Sequence, residues 1–317
     1  MLVHRGVPSP DPNARHVVTI GNFDGVHLGH QALLSELAQA RARHDAPSCV
    51  ITFEPHPREF FAPQAAPVRL SSLREKLAML AAHGVDRVQV CRFNRAFASL
   101  PAQEFIERVL VAGLGARWVM IGEDFRFGAR RAGDLALLRR AGQATGFAVH
   151  ALAEVAHGDA DGRPVRISSS LLRELLLAGH VERAATLLGR PWGIAGRVVR
   201  GDRIGRTIGF PTANLRMRGH RPPRKGIYAV RVAGLGSGLR DGVASVGVRP
   251  TVTDSGEMRL EVFIFDFDAD IYGAQIRVDF LARIRDEEKY ADLGTLTRQI
   301  ERDVQDARRL LAAQPMN

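Results

Sequence analysis

His27 and His30 stand three positions apart in the stretch TIGNFDGVHLGH, residues 19–30, which begins with apolar residues. The pattern predicts a strand that ends at Gly21, a turn, and a helix that begins just after His27. Residues three apart share one side of a first helical turn, where backbone N–H groups and the helix dipole attract anions. Gly29 lets the backbone approach such a ligand closely. We therefore expect a polyphosphate site in which both imidazoles stabilise the charge that develops during transfer at phosphorus.

Other residues of this half could bind the same ligand. Asn22 and Asp24 lie in the predicted turn, where they could bond either the turn itself or a nucleotide. Ser169 and Ser170 open a helical run, with Arg173 one turn further, and this arrangement forms a second anion cradle. Taken alone, the serines could equally be only a helix cap.

Three residues are candidates for contact with a second ligand. Asp124 follows the apolar run RWVMIG, at the expected carboxyl end of a strand, where it could bind a ligand or simply form a turn. His56 stands between two prolines, which suits either ligand contact or a rigid loop. Phe127, with Phe125, could stack on a flat ring or pack in the core.

The second half carries GDRIGRTIGFPTANL, residues 201–215, which has the features of a magnesium–nucleotide site. Thr212 and Asn214 are two apart and share a side if the segment is extended. A hydroxyl and an amide carbonyl are neutral oxygen ligands that suit Mg²⁺ with its waters and nucleotide phosphates. The same stretch has three glycines whose turn could cover those phosphates with N–H groups: Gly201, Gly205 and Gly209.

A carboxylate with a different role is predicted in the run RLEVFIFDF. Strand alternation places Glu261 beside Phe263, opposite an aliphatic face. Burial among aromatic rings would raise the pKa of Glu261 towards that of a general base, which could take the proton of a hydroxyl attacking a γ-phosphate. The alternative is an exposed, solubilising face.

The elements that must position these residues fall into two groups. From His16 to about Gly189, β-rich runs alternate with amphipathic helical stretches, which predicts an α/β doubly wound parallel sheet with ligands beyond the carboxyl ends of its strands. Residues 1–15, rich in Pro, are expected to be a disordered lead-in. From Pro191 the pattern changes to short strands with Gly-rich turns, which predicts a small antiparallel β-barrel.

A helix is predicted to close the chain, from apolar residues at spacings of three and four: Leu293, Leu296, Ile300, Val304 and Ala307. The boundary between the two halves is expected within residues 187–192. The predicted domains are therefore 1–186 and 187–317.

The composition is that of an ordinary globular protein, with 45% hydrophobic and 25% charged residues among 317. The net charge is +10, but Arg outnumbers Lys by 41 to three, a ratio that often reflects the composition of the coding sequence. The Arg residues are also scattered, with no stripe of aromatic residues between them, so we expect no nucleic-acid partner. No apolar run is long enough to span a membrane, and we expect no secretory signal because the first residues lack an apolar run. Cys49 and Cys91 lie in separate apolar runs, which favours reduced thiols in the cytoplasm.

At residues 19–30 the chain resembles the nucleotidyltransferase superfamily, which carries an HxGH signature. Three more stretches resemble the adenylyltransferase module of bacterial bifunctional riboflavin kinase/FAD synthetases: TFEPHP (52–57), GEDFRFG (122–128) and ISSSLLRELL (167–176). The last usually reads SSTxxR, so Ser170 stands where Thr is usual. The resemblance implies that FMN reacts with ATP here to give FAD and pyrophosphate, and we expect Asp124, Phe127 and His56 to contact FMN.

The second half resembles riboflavin kinase through GRTIGFPTANL, GIYAV, ASVGVRPTV, DIYGAQIRVDF and IRDEEKY. In that family the Thr and Asn of PTAN bind Mg²⁺–ATP and a strand Glu is the base, roles that map onto Thr212, Asn214 and Glu261. A family LRxE stretch borders the flavin, and Arg285 and Glu287 match it with Ile in place of Leu. The resemblance implies phosphorylation of riboflavin to FMN by ATP, followed by adenylylation of FMN.

Two other functions fit parts of the pattern. A single-activity nucleotidyltransferase for pantetheine phosphate or nicotinate mononucleotide explains the HxGH stretch but not the PTAN and Glu261 strands. An RNA-binding or regulatory protein could use the barrel to bind nucleic acid, although the scattered Arg residues argue against it.

Overall fold

The structure, a computed structural model, describes residues 1–153, 155–158, 164–201, 204–217, 223–248 and 258–314. The chain forms two compact units, which consist of Met1–Pro67 with Ser71–Ser168 and of Val68–Leu70 with Ser169–Asn317. The predicted domain limits, 1–186 and 187–317, stay a prediction.

The first unit is built on a six-stranded parallel sheet. Its strands are β1 Leu2–Arg5, β2 His16–Ile20, β3 Ser48–Glu54, β4 Arg87–Arg92, β5 Ala116–Gly122 and β6 Ala148–Leu152. They lie in the order β1-β4-β3-β2-β5-β6, and every pairing is parallel, as the alternation of strands and helices predicts. An antiparallel hairpin is formed by β7 Ala156–Gly158 and β8 Pro164–Arg166.

The helices of this unit alternate with the strands. They are α1 Leu28–His44, α2 Pro57–Phe61, α3 Leu73–Ala82, α4 Arg95–Ala98, α5 Ala102–Phe105, a π-helical continuation Ile106–Gly113, and α6 Leu135–Thr145. Successive residues of a strand point to opposite faces, so the sheet separates two cores. Val17 packs in the core with α1 and α3, whereas Val18 packs in the core with α6 and the π-helical segment. β2 is buried along its whole length, as expected of a central parallel strand.

The disordered lead-in predicted for residues 1–15 is wrong, because residues 2–5 form a strand. β1 pairs in parallel with β4, from Leu2 opposite Arg87 to Arg5 opposite Val90. The strand lies at an edge of the sheet and all its residues are exposed, so its sequence lacks the apolar alternation that reveals buried strands.

The second unit contains a closed antiparallel barrel, which confirms the predicted fold. Its strands are β9 Trp192–Val199, β10 Thr212–Arg216, β11 Gly226–Ala233, β12 Arg240–Val248, β13 Met258–Ile264 and β14 Gln275–Arg285. They close in the order β10-β13-β12-β11-β14-β9. The described helices of this unit are α7 Ser169–Ala178, α8 Val181–Leu188, α9 Ile204–Thr207 and α10 Leu293–Ala312.

The predicted C-terminal helix is α10, and its packing differs from the predicted stripe at one end. Ala307 and Leu311 are buried against the barrel, but Leu293 is 58% exposed. The carboxylate of Asp303, on the same helix, is buried. It accepts two hydrogen bonds from the guanidinium of Arg285, at 2.7 and 2.6 Å, and so forms an ion pair with it. The helix is thus fixed to β14 by charge as well as by apolar contact.

Candidate active sites

The turn between β2 and α1 holds two imidazoles side by side. The Nδ1 of His27, the residue that caps α1, accepts a hydrogen bond from the backbone N–H of His30 at 3.4 Å. The two rings are stacked, with centroids 3.7 Å apart. A Cβ at position 29 would lie 3.2 Å from the His27 ring, so Gly29 leaves room for the stack. The prediction that both histidines lie on one side of the first helical turn is confirmed.

The backbone of this turn is tightly folded. Phe23, Gly25 and Val26 have left-handed conformations, with φ of 48°, 80° and 42°. Gly21, at the start of the turn, donates its N–H to the carbonyl of Ile51 at 3.0 Å. The turn is therefore held in place by β3 and by the fully buried Phe23 ring.

Asp24 bonds the turn, which is one of the two roles that its sequence position allows. Its carboxylate accepts hydrogen bonds from the N–H and the hydroxyl of Ser71, at 3.1 and 3.3 Å. The Ser71 Oγ in turn accepts a bond from the N–H of Gly25 at 3.1 Å. Contact of Asp24 with a nucleotide stays a prediction. Ser71 is 47 positions from Asp24, and no local pattern signals the pairing.

Two more residues that the motifs do not indicate support the same turn. Thr52, at the carboxyl end of β3, donates its hydroxyl hydrogen to the Asn22 carbonyl at 3.2 Å. The Nζ of Lys76, on α3, donates to the Thr52 Oγ1 at 3.3 Å. Lys76 is 6% exposed, which is unusual for a lysine. Asn22 is thus held through its backbone, while its buried side-chain Oδ1 accepts no hydrogen bond.

The environment of His30 disfavours its charged form. Its buried Nδ1 has no hydrogen-bond partner. Burial, and after it the charges of His27 and Lys76, hold the pKa of His30 well below its usual value. At neutral pH the ring is therefore neutral and can donate one hydrogen bond to an anion without becoming charged.

The three residues predicted to contact FMN occupy different settings in the first unit. Asp124 forms an exposed ion pair with Arg166 at 2.6 Å. His56 caps α2, since its Nδ1 accepts the N–H of Arg58 at 3.1 Å. Phe127 is 7% exposed and stacks on Phe125 with ring centroids 6.1 Å apart. Core packing, one of the two roles considered for Phe127, is thus observed, and its contact with a flavin stays a prediction.

The predicted anion cradle of serines begins a helix, as expected. Ser169 is the first residue of α7, and Ser170 follows it on the exposed surface. The Nε of Arg173 donates to the carbonyl of Val68, a residue of the same compact unit. Their contact with phosphate stays a prediction.

In the barrel, β10 and β13 bring the predicted kinase residues together. Asn214 stands opposite Glu261 in the strand register, and the Thr212 hydroxyl donates to Glu261 Oε2 at 3.4 Å. Glu261 is half-buried, on the strand face opposite the fully buried Leu260 and Val262, as the alternation predicts. A hydroxyl, an amide and a carboxylate that are far apart in sequence thus meet at one place.

The donor atoms at this place fit a magnesium ion. The Asn214 Oδ1 is buried and accepts no hydrogen bond, while its Nδ2 donates to the Thr212 carbonyl at 3.4 Å. An unsatisfied buried carbonyl oxygen costs free energy unless a ligand binds it. Together with the Thr212 hydroxyl it offers two neutral oxygens, the kind of ligand that Mg²⁺ accepts.

Glycines shape the backbone around these donors. A side chain at Gly201 would overlap the Asn214 amide, so this position needs glycine for the observed packing. Gly205 accepts the N–H of Phe210 at 2.7 Å, and Gly209 has φ of +87°. They form a tight turn just before β10, and its contact with phosphates stays a prediction.

A pocket of about 250 Å³ opens beside Thr212 and Asn214. It is lined on its other side by the segment that follows β13, which supplies two carboxylates and two aromatic rings: Phe267, Asp268, Asp270 and Tyr272. The sequence marks this segment only through its DIYG stretch, because a loop has no periodicity to show what it faces.

Arg285 and Glu287, predicted to border a flavin, have different surroundings. The ion pair with Asp303, the larger cause, raises the pKa of Arg285, so the guanidinium is permanently charged and committed to α10. The exposed Glu287 places its carboxylate against Gly247 of β12. Flavin contact by either residue stays a prediction.

Within the described ranges, no helix has the length and apolar character needed to cross a membrane.

Comparisons with known proteins agree in both halves of the chain. A family model for FAD synthetase matches residues 9–170, and one for riboflavin kinase matches residues 188–311. The bifunctional riboflavin kinase/FMN adenylyltransferase of Escherichia coli (strain K12) is 47% identical, over 97% of both chains. That of Pseudomonas fluorescens is 44% identical, over 98% of both.

A solved structure is also similar over the full length. It is described as a macrolide-efflux protein from Streptococcus pneumoniae and has a TM-score of 0.85 at 32% identity, covering 97% of this chain and 99% of that one. With two family models that account for consecutive parts of the sequence and with full-length relatives, the chain belongs to the bifunctional riboflavin kinase/FMN adenylyltransferase family.

Proposed function

We propose that this chain makes FAD from riboflavin in two ATP-dependent steps. The barrel phosphorylates riboflavin to FMN, and the α/β part adenylylates FMN. The observation that carries the proposal is the meeting of Thr212, Asn214 and Glu261 across two paired strands, because a generic nucleotidyltransferase has no use for it. We assign the kinase to residues 187–317 and the adenylyltransferase to residues 1–186, in line with the two matched family models.

In the kinase reaction, Glu261 takes the proton from the ribityl 5′-hydroxyl of riboflavin. The resulting oxygen attacks the γ-phosphorus of ATP, the bond to the β-phosphate oxygen breaks, and ADP leaves. Thr212 and Asn214 supply the two neutral oxygens that would hold Mg²⁺. The bound ion would offset the charge of the nucleotide phosphates.

The pocket beside Thr212 is the proposed place for the nucleotide of the kinase reaction. Gly201, Gly205 and Gly209 carry no side chain at three positions before β10, so that the backbone can approach the phosphates there. Arg285 and Glu287 stay our candidates for the border of the flavin. The ion pair of Arg285 with Asp303 supports a role in holding the site together rather than direct attraction of the ligand.

In the adenylyl transfer, a phosphate oxygen of FMN attacks the α-phosphorus of ATP and pyrophosphate leaves. The nucleophile is already ionised, so positioning and stabilisation of charge suffice without a protein base. His27 and His30 donate hydrogen bonds to the phosphates beside the helix start of α1. Gly21, Asn22, Asp24 and Gly29 shape the turn that carries them.

The remaining residues of this half are assigned by resemblance. Ser169, Ser170 and Arg173 are proposed to contact phosphate, through hydroxyls and a guanidinium that suit anions. Asp124, Phe127 and His56 are proposed to surround FMN. For Phe127, its stacking partner Phe125 keeps some exposed surface and offers the ring that a flavin could reach.

A cytoplasmic location completes the proposal. Cys49 and Cys91 are both free and buried, and burial raises the pKa of each thiol to about 12. Free thiols are typical of reducing compartments such as the cytoplasm.

The test is incubation of the full chain with riboflavin, ATP and Mg²⁺, followed by chromatography of the flavins. FMN should appear first and FAD later, with pyrophosphate released in step with FAD. When FMN replaces riboflavin, FAD should form without a lag. Chelation of Mg²⁺ should stop FMN formation, and added Mg²⁺ should restore it. Adenylylation of another phosphorylated substrate without any turnover of riboflavin would contradict the proposal.

A further inference from the structure

Lys76 is a buried cation beside the proposed adenylyl-transfer turn, and the reaction described above does not use it. It lies on the second turn of α3 and is 6% exposed. A lysine is rarely buried without a reason, because the charged ammonium must leave water. The chain contains 41 Arg and only three Lys, so its composition favours Arg over Lys at a position that needs nothing more than a positive charge.

The side chain of Lys76 reaches the proposed site through two hydrogen bonds in series. Its Nζ donates to Thr52 Oγ1 at 3.3 Å, and Thr52 donates to the carbonyl of Asn22 at 3.2 Å. Thr52 is completely buried at the carboxyl end of β3. The Thr52 hydroxyl oxygen accepts the hydrogen bond from Lys76, and the hydroxyl hydrogen is donated to the Asn22 carbonyl. The two partners together fix the orientation of the hydroxyl.

The charge of Lys76 also disfavours the charged form of His30. The titratable groups of the first unit that act on the ring are His27, from the cap of α1, and Lys76, from α3. Both disfavour the imidazolium, and burial of the ring adds to their effect. The acidic Asp24 of the same turn has its carboxylate bonded to Ser71.

We propose that Lys76 is a positioning residue for adenylyl transfer, which supports the β2–α1 turn through Thr52 and brings a positive charge to that turn. The inference rests on the proposed adenylyl transfer. Its consequence is that His30 stays a neutral hydrogen-bond donor at physiological pH. The ammonium of Lys76 would then supply positive charge for the incoming polyphosphate.

If Lys76 had a purely structural role, its replacement would have a different effect. Loss of such a lysine would lower stability or the amount of folded protein, but the pH at which FAD formation declines would not move. The pH dependence of the rate therefore separates the two roles.

The experiment compares Lys76→Met, Lys76→Arg and Thr52→Val in the full chain. FAD formation from supplied FMN is followed from pH 5 to 9, and circular dichroism with thermal unfolding shows whether each variant is folded. We expect Lys76→Met to lower kcat for FAD about tenfold and to move the acid limb of its pH profile up by about one unit. Lys76→Arg, which keeps the charge, should restore the position of the limb.

Thr52→Val separates support from charge, because it removes the bridging hydroxyl and keeps the ammonium. It should lower the rate of FAD formation and leave the acid limb in place. Arg43→Met, which removes an exposed charge from α1 of the same unit, is the matched control and should change neither quantity. If methionine prevents folding, Lys76→Gln replaces it in the comparison.

An NMR titration of the His30 ring, assigned by its loss in His30→Asn, provides a reading that does not depend on activity. The pKa of His30 should rise when Lys76 is replaced by Met and stay low with Arg. An unchanged pKa and an unchanged acid limb in Lys76→Met would overturn the charge role, and a normal rate in Thr52→Val would overturn the support role. If the unmodified chain made no FAD, the proposed function would fail, while the titration would still decide the inference.

Discussion

At the scale of single residues, the two proposed sites use different chemistry for the same co-substrate. The β2–α1 turn offers imidazole donors at a helix start and no carboxylate for proton removal, since the carboxylate of Asp24 is bonded to Ser71. The barrel offers a carboxylate, Glu261, in contact with the hydroxyl of Thr212. An attacking phosphate is already ionised, whereas an attacking hydroxyl must lose a proton, and each site has the groups that its nucleophile needs.

Replacement of His30 by Asn should therefore impair one activity alone. FAD formation from supplied FMN is expected to fall by about 10²–10³-fold, because a donor to the developing charge is lost in a partly buried site. FMN formation from riboflavin should be unchanged. Both products can be followed by chromatography in one reaction.

A matched control for His30 lies on the same helix. His44 is exposed at the last turn of α1, and His44→Asn should leave both activities intact. Equal loss of FMN and FAD formation in His30→Asn, with the fold preserved by circular dichroism, would argue against separate sites.

Glu261→Gln should have the reverse effect. The amide keeps the shape and a hydrogen bond to Thr212 but cannot accept the proton of the ribityl hydroxyl, so FMN formation should fall by about 10²–10⁴-fold. FAD formation from supplied FMN should remain near that of the unmodified chain. Single-turnover measurement of FMN would locate the loss in the chemical step.

The exposed Glu301 of α10 provides the control for Glu261. Glu301→Gln makes the same chemical change away from the site, and it should leave FMN formation intact. Normal FMN formation by Glu261→Gln would remove this residue from the mechanism and leave the proton acceptor to be found elsewhere.

At the scale of elements, strands and helices with a buried face are predictable from sequence, but elements without one are not. β2, β5 and β13 have apolar patterns that identify them, and the HxGH stretch places the start of α1 correctly. β1 escapes prediction because an exposed edge strand has no pattern. Leu293 fits the period of α10 and yet is exposed, since periodicity does not tell where contact with the barrel begins.

The candidate sites show the same division between local and distant information. His27 and His30 are neighbours in sequence, and their pairing follows from helical spacing. Thr52 and Ser71 reach the same turn from 30 and 47 positions away, and Lys76 reaches it through Thr52, which is 24 positions from Lys76. Only the fold brings these residues together. Sequence patterns therefore predict which motif binds the phosphates, but they miss the residues that hold the motif in shape.

The attachment of α10 to the barrel makes a prediction at this scale. Asp303 is 3% exposed and pairs with Arg285, so Asp303→Asn would leave a guanidinium without its charge partner in a half-buried place. Loss of one partner from a buried ion pair typically costs about 3–5 kcal/mol, and because Arg285 keeps some exposure the lower end is expected. Hydrogen exchange measured by mass spectrometry should show faster exchange in peptides from α10.

Asp306, one turn further along α10, is the natural comparison. It pairs with Arg309 on the surface, and exposed pairs contribute about 0–1 kcal/mol, so Asp306→Asn should leave the exchange of α10 nearly unchanged. If Asp303→Asn exchanged no faster than Asp306→Asn, the ion pair with Arg285 would not be what fixes the helix.

At the scale of the whole molecule, two consecutive stretches of one chain carry two chemically successive reactions. The match to the FAD synthetase family ends at residue 170, and the match to the riboflavin kinase family begins at residue 188. All the predicted kinase residues lie within the second match. The product of the kinase reaction is the substrate of the adenylyl transfer. We expect FMN, a small dianion, to exchange with solution between the two reactions, so that the two activities need not reside on the same copy of the chain.

A mixture of His30→Asn and Glu261→Gln chains tests this independence. Given riboflavin and ATP, the first chain alone should accumulate FMN and the second alone should leave riboflavin unchanged. Together they should produce FAD after a lag, because FMN released by one copy must reach the proposed turn of another. The lag should shorten as the concentration of the Glu261→Gln chain is raised, whereas addition of a chain that carries both substitutions should have no effect. FMN that never exceeds the concentration of the His30→Asn chain, with no FAD in the mixture, would mean that the intermediate is passed on only within one molecule.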